Sequence, residues 1–125
     1  MTGVQTCALP IFLIWRIGGD LFFASIGHMS AALKASLAAR PDVKRVLLDC
    51  ASVNFIDVSA EDELLGLIKA LQKTGIAVAF VRVRDAVRED MRLAGMEALL
   101  RPGDFYERTT DGVRAWQQQD GSPAG

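Results

Sequence analysis

The sequence predicts an α/β fold, in which a small, mixed but largely parallel sheet has helices packed on it. Short apolar runs rich in β-branched residues alternate with longer segments in which apolar residues recur every three or four positions. The run Val46–Leu48 is apolar without alternation, as expected for a strand that is covered on both faces. Strand–helix–strand units at this spacing imply right-handed crossovers between parallel strands. The length of 125 residues suits one domain.

The first part of the chain predicts two strands and a helix. Phe12–Ile17 is β-branched and aromatic, and the turn sequence Gly18–Asp20 follows it. Leu21–Phe23 is predicted to be a short second strand that pairs with Phe12–Ile17 as a hairpin. Apolar residues then recur with helical spacing until Pro41, which closes the first helix.

The next predicted helix, Ser59–Thr74, has the clearest amphipathic pattern in the chain. Ser59 is its predicted N-cap, and Asp62 would complete a capping box. Gly75 follows the last turn, where a left-handed residue is favoured.

The remaining segments complete the predicted order β-β-α-β-α-β-α-(β)-α. Ile76–Val83 is a buried strand, and Asp85 is the predicted cap of a third helix that ends at Gly95. Phe105–Tyr106 is a short final strand, and Thr110 is the predicted cap of the last helix.

The ends of the chain stand apart from this pattern. Residues 1–11 resemble a translated adaptor sequence, so we expect a non-native or disordered leader there. Residues 12–118 form the predicted domain. Residues 119–125 are polar and contain glycine and proline, which predicts a flexible tail.

The composition excludes several classes of protein. Half of the residues are hydrophobic and the net charge is -1, so the chain is globular and has no basic excess for general nucleic-acid binding. Its two cysteines and one histidine cannot form a four-thiolate or two-imidazole metal site, and we expect no metal. The apolar run Cys7–Trp15 is too short to span a bilayer and contains Pro10. The chain lacks the glycine-rich motifs of a nucleotide cradle, and we expect no cofactor.

Four motifs together are similar to those of the STAS domains, which are named for sulfate transporters and anti-sigma-factor antagonists. A buried strand runs into Val53–Ser59, whose Asp-x-Ser opens a leucine-rich helix. Gly19–Ser25, Val78–Val83 and Phe105–Asp111 resemble the transporter branch of that family. The resemblance extends from Phe12 to Gln118.

The resemblance implies a non-catalytic, cytoplasmic regulatory domain at the C-terminus of a SulP-type sulfate or anion permease, without the membrane helices. Its partner would be the transmembrane domain of the permease or a second STAS domain. The alternative is a free-standing module that resembles the anti-sigma-factor antagonists and acts on a kinase or an anti-sigma factor. An enzyme is disfavoured because no catalytic constellation is evident.

The resemblance also identifies Ser59, which matches the residue that accepts a phosphate in antagonist-type STAS proteins. This sequence departs from their pattern, because Val58 and Ala60 stand where antagonists usually have serine and glycine. Four carboxylates lie within four residues of Ser59, and they oppose an added phosphate. We therefore predict that Ser59 acts mainly as an N-cap, with a regulatory phosphosite as the alternative.

Two surfaces are the candidate sites. The first is an interaction loop with the start of the following helix, and it comprises Asn54, Phe55, Asp57, Val58, Ser59, Glu61 and Asp62. The second is a basic stripe at i, i+4 and i+8, which is either a solvated face or a docking face and comprises Arg84, Arg88 and Arg92.

Single residues of reactive type have structural interpretations. His28 is expected to be exposed or to cap a helix, and Cys50 is expected to be a small core residue. Four phenylalanines are predicted to be core residues, namely Phe22, Phe23, Phe55 and Phe80.

Overall fold

The computed structural model describes residues 3–6, 12–96 and 105–119. Five strands form one sheet in the order β1-β2-β3-β4-β5. β1 pairs with β2 in the antiparallel sense, and the other three pairings are parallel. The elements are β1 (Gly3–Thr6), β2 (Phe12–Ile17), α1 (Phe23–Ala38), β3 (Arg45–Asp49), α2 (Val58–Lys73), β4 (Ala77–Val81), α3 (Asp85–Leu93), β5 (Phe105–Tyr106) and α4 (Thr109–Gln119). The predicted fold class and order of elements are confirmed.

One predicted strand is wrong. Leu21–Phe23 does not form a hairpin with β2, because Leu21 makes a single parallel bridge to Ile56 and α1 already begins at Phe23. The backbone N–H of Phe22 donates to the Ser25 hydroxyl over 3.0 Å, which fixes the start of the helix. The antiparallel partner of β2 is β1.

The predicted leader, residues 1–11, overlaps β1 and otherwise lies outside the described residues. Its assignment as a leader stays a prediction. Of the predicted tail, residue 119 is the last residue of α4, and residues 120–125 lie outside the described residues.

The sheet separates two hydrophobic cores, because side chains alternate between its faces along each strand. Helices α1, α2 and α3 cover one face, against Leu13, Leu48 and Phe80. Helix α4 covers the other face, against Phe12 and Leu47.

Helix α4 lies close to the sheet. The ring of Trp116 is buried and meets Phe12 edge to face, with 5.7 Å between the ring centroids. A Cβ atom added at Gly112 would lie 2.9 Å from Cδ2 of the buried Leu47. Glycine therefore permits this approach. The Arg45 guanidinium donates to the carbonyl oxygen of Trp116 over 2.8 Å, which ties the last turn of α4 to β3.

The two predicted helix-ending glycines are confirmed, whereas two of the predicted core phenylalanines are wrong. Gly75 and Gly95 have φ of 85° and 83°, so both end their helices in the left-handed region. Phe80 is fully buried, whereas Phe22 and Phe55 are 47% and 46% exposed and are not core residues. The side chain of Phe23 lies outside the described part of the structure.

Candidate functional site

The loop between β3 and α2 is attached to the Asp20 carboxylate and to the backbone of Leu21. Oδ1 of Asp20 accepts hydrogen bonds from the backbone N–H groups of Asn54, over 2.6 Å, and Phe55, over 3.2 Å. Backbone bonds reinforce this contact, because the N–H of Leu21 donates to the Phe55 carbonyl over 3.0 Å and the N–H of Asp57 donates to the Leu21 carbonyl over 3.1 Å. Four hydrogen bonds thus attach the loop to residues 20 and 21.

The attached loop presents aromatic surface to solvent. The rings of Phe22 and Phe55 lie 5.6 Å apart between centroids, and nearly half of each residue is exposed. We call these two residues the aromatic patch. Val58, the first residue of α2, is 73% exposed. Large apolar side chains fixed at the surface in this way are typical of contact sites.

The N-cap of α2 is Asp57, and the prediction that Ser59 caps this helix is wrong. Oδ1 of Asp57 accepts a hydrogen bond from the backbone N–H of Ala60 over 2.7 Å. The helix begins at Val58, so Ser59 is an exposed residue of its first turn. Asp57 rather than Ser59 is the N-cap because the bridge between Leu21 and Ile56 ends the extended segment just before Asp57.

The predicted caps of the later helices are also displaced. The N-cap of α3 is Arg84, which makes no side-chain capping bond, and Asp85 is the first helical residue. Helix α4 begins at Thr109, one residue before the predicted cap Thr110. Carboxylates in a first turn still complement the helix dipole.

Acidic side chains surround the start of α2. Glu61 is 7% exposed, and its burial, together with the charges of Asp90, Asp62 and Asp57, raises the pKa of its carboxyl. Asp90 belongs to α3, so two helices contribute to this negative potential. A phosphate on Ser59 would add charge to the same region.

The three arginines of the predicted docking face each contact a different group. Arg84 donates to the carbonyl oxygen of Ala51 over 3.2 Å. The Arg88 guanidinium lies over the Phe105 ring, 4.3 Å from its centroid. Arg92 pairs with Glu89, with 2.6 Å between Nη2 and Oε2. The use of this face for docking stays a prediction.

Sequence reasoning missed a buried charge pair at the carboxyl end of the sheet. Asp49 is 3% exposed and accepts two hydrogen bonds from Arg82, from Nε over 3.2 Å and from Nη2 over 2.9 Å. Nε of Arg16 lies 3.7 Å from Oδ2 of Asp49. Burial raises the pKa of Asp49. The hydrogen bonds from Arg82 and the Ala51 N–H, together with the positive charges of Arg82 and Arg16, outweigh that effect, so the pKa of Asp49 is lowered. The signal in the sequence is a carboxylate directly after the apolar run Val46–Leu48.

The reactive residue types are placed as the sequence predicts. Cys50 is fully buried, and burial together with the charge of Asp49 raises the pKa of its thiol to about 12. A thiol of this pKa is a poor nucleophile at neutral pH. His28 is exposed. Among the described residues, no group of three or more His, Cys, Asp or Glu is arranged to hold a metal ion.

Comparison with known proteins identifies the family. A sequence model of the STAS domain matches residues 4–111, and the chain therefore belongs to the STAS domain family. No match was found among curated protein sequences. In the residues that the structure describes, no helix is long and apolar enough to cross a membrane.

Solved structures with this fold come from anion transporters and from a Bacillus cell fate determinant. The murine anion transporter Slc26a9 is 18% identical and has a TM-score of 0.82, over 90% of this chain and 19% of that one. The SulP transporter STAS domain of Vibrio cholerae is 17% identical with a TM-score of 0.74, over 94% and 88% of the chains. The phosphorylated Bacillus cell fate determinant SpoIIAA is 11% identical with a TM-score of 0.66, over 90% and 97%. At these identities the likeness establishes the fold alone.

The assignment of Asp57, rather than Ser59, as the N-cap of α2 leads to a prediction about stability. Asp57→Ala removes the acceptor of the Ala60 N–H and should lower the free energy of unfolding by about 1 kcal/mol. Asp57→Asn keeps an acceptor and should retain most of the stability, and Ser59→Ala should change it by less than about 0.5 kcal/mol. Urea unfolding of the three variants measures this. A larger loss in Ser59→Ala than in Asp57→Ala would contradict the assignment.

The environment of Glu61 predicts a pH dependence. Because the pKa of Glu61 is raised in the folded state, its protonated form favours folding, and that stabilisation is lost as the pH rises through the folded pKa. Glu61→Gln should therefore be more stable than the parent protein at pH 7, and the difference should vanish below the ordinary glutamate pKa of about 4.3. Thermal unfolding between pH 4 and 8 tests this, with the exposed Glu63→Gln as the control. An equal gain in both variants would contradict the prediction.

Proposed function

We propose that this chain is a non-catalytic regulatory domain of a SulP-type anion permease, on the cytoplasmic face of the membrane, and that it acts by docking through the Asn54–Ser59 loop. The observation that carries the proposal is the exposed aromatic patch, in which Phe55 lies on the attached loop and Phe22 lies at the start of α1. The fold shared with transporter STAS domains supports the setting.

The geometry of the loop favours a contact surface. Aromatic residues are enriched in the centres of interfaces, and truncating them often costs the most binding energy. Phe55 is already ordered by hydrogen bonds to Asp20 and Leu21. Phe22 lies at the start of α1, where its N–H donates to the Ser25 hydroxyl. A partner would therefore lose little conformational entropy of this loop on binding.

The charge beside the patch favours a basic partner. The exposed carboxylates of Asp62 and Glu63 lie in the first turns of α2, and Asp57 is half-buried at its N-cap. Complementary potentials speed encounter and disfavour like-charged partners. Cytoplasmic loops of membrane proteins carry an excess of Lys and Arg. The transmembrane domain of the permease is therefore a better partner for this surface than the same surface of a second copy, in which acidic residues would meet each other.

The interior of the domain supports a non-catalytic role. The buried thiol of Cys50 has a raised pKa, and His28 is exposed on α1. Within the part of the chain that the structure describes, neither residue belongs to the pair of nucleophile and base that covalent catalysis needs. In this proposal the domain acts through its surface.

The second candidate is an antagonist-like module that is switched by phosphorylation of Ser59. The exposure of Ser59 in the first turn of α2 favours it, since a helix N-terminus stabilises an anion. The carboxylates of Asp57, Glu61 and Asp62 oppose it, because a unit pair about 6 Å apart costs roughly 3 kcal/mol at an effective dielectric of 20. Stoichiometric phosphorylation of Ser59 by a co-encoded kinase, seen by intact-mass measurement, would favour this candidate over the first.

Docking is tested with the transmembrane domain encoded in the same reading frame, purified separately and titrated with this chain. We expect the double variant Phe22→Ser/Phe55→Ser to weaken binding by about tenfold or more, since interface aromatics act as hot spots. Leu93→Ser is the matched control, because Leu93 is a 69% exposed apolar residue on α3. Binding should also weaken with added salt.

Two results would contradict the proposal. One is equal affinity of the double variant and Leu93→Ser for the transmembrane domain. The other is the absence of hydrophobic helices from the reading frame upstream of this domain.

A further inference from the structure

A groove of about 490 Å³ lies at the carboxyl end of the sheet, on the side that α4 covers. Three separate parts of the chain each contribute one arginine. Arg16 comes from β2, Arg82 follows β4 and Arg108 precedes α4. Asp49, Thr109 and Thr110 also line the groove. None of this surface belongs to the aromatic patch.

The groove has more guanidinium groups than carboxylates. Asp49 neutralises one positive charge, and Arg108 pairs with Asp111 over 3.3 Å. The side chains of Arg16, Arg82 and Arg108 remain 51%, 41% and 77% exposed. A guanidinium has five N–H donors, and Arg82 uses two of them on Asp49. Further donors are thus open to a ligand.

The backbone at Arg82 departs from a regular strand in a way that turns this side chain into the groove. Val81 packs with Leu47 and Trp116 on the α4 side, so the next residue of an extended strand would point to the opposite face. Arg82 instead has φ of 58° and reaches Asp49, which pairs in register with Val81. A left-handed backbone is unfavourable for residues other than glycine, and such residues cluster at active sites and ligand clamps.

Asp49 acts as the anchor of this arrangement. Its buried carboxylate accepts both bonds from Arg82 and lies beside Arg16, so two like-charged side chains stay together without a ligand. The start of α4 adds further donors. Thr109 and Thr110 contribute hydroxyl groups, and the first amides of a helix have no partner within it.

We propose that this groove binds a tetrahedral oxyanion, namely sulfate, phosphate or a phosphomonoester group. Planar guanidinium groups match the oxygens of such anions with paired hydrogen bonds, and chloride offers no comparable geometry. The proposal does not rest on the proposed docking function, because it uses different residues on the other side of the sheet.

The full chain is titrated with sodium sulfate and sodium phosphate at constant ionic strength, with sodium chloride as the reference, and binding is followed by amide chemical shifts. We expect saturable shifts at Arg16, Arg82, Thr109 and Thr110. The double variant Arg16→Gln/Arg108→Gln should weaken binding by about tenfold, as for two solvent-exposed charge-assisted contacts. Both side chains are exposed, so the Asp49–Arg82 pair and the fold should persist.

The matched control is Lys34→Gln/Arg114→Gln, which removes the same charge from exposed positions outside the groove. It should bind sulfate as the parent protein does. Equal weakening in the two double variants, or shifts that chloride reproduces, would overturn the proposal by showing nonspecific screening alone.

A second arm distinguishes a free anion from a lipid headgroup. Vesicles of phosphatidylcholine with and without phosphatidic acid are sedimented with the protein. Retention that needs phosphatidic acid and is displaced by sulfate supports the site with a headgroup as the ligand. Sulfate binding without retention supports it with a free anion, and the absence of both sulfate binding and retention would overturn it.

Discussion

The carboxylate of Asp20 fixes the surface on which the functional account depends. It accepts hydrogen bonds from the backbone N–H groups of two consecutive loop residues, Asn54 and Phe55, which lie 34 and 35 residues further along the chain. Together with the bonds between Leu21 and the loop, this contact gives an exposed segment defined hydrogen-bond partners. A loop without such partners would be mobile, and a partner would have to order it at a cost of about 1–2 kcal/mol per residue. The aromatic patch is preorganised for this reason.

The carboxyl end of the parallel strands therefore carries two surfaces of different chemistry. On the side of α2, an apolar patch lies beside carboxylates. On the side of α4, the buried Asp49 holds arginines around a groove. In both places an aspartate at or just beyond the end of a strand organises groups that are distant in sequence. Parallel strands bring their carboxyl ends to one edge of the sheet, so this edge collects loops that can vary without disturbing the cores.

Periodicity and local signals predicted the framework well. The apolar run Val46–Leu48 and the leucine spacing of α2 are local patterns that predict which residues are buried. Gly75 predicts the end of α2 from a single position. The errors arise where a contact distant in sequence overrides a local preference. Leu21–Phe23 has the composition of a strand, but the Leu21 bridge to Ile56 and the Ser25 hydroxyl end it after one residue. The same bridge places the N-cap of α2 at Asp57 and not at the predicted Ser59.

The candidate sites were harder to predict than the fold for the same reason. The loop containing Asn54 and Phe55 could be located by its resemblance to a family, but the exposure of Phe22 and Phe55 could not, because aromatic residues are usually buried. Asp49 and Arg82 are 33 residues apart in the sequence. Their pairing depends on the left-handed backbone of Arg82, which no sequence pattern predicts.

Amide hydrogen exchange of Asn54 and Phe55 in the free protein tests the preorganised loop most directly. If the Asp20 carboxylate holds the loop, both amides should exchange at least about tenfold more slowly than unstructured reference amides, and Asp20→Ala should abolish that protection. Asp42→Ala, a substitution in an exposed turn, should leave it unchanged. Exchange of both amides at the unstructured rate in the parent protein would contradict the account, because the aromatic patch would then have no fixed position.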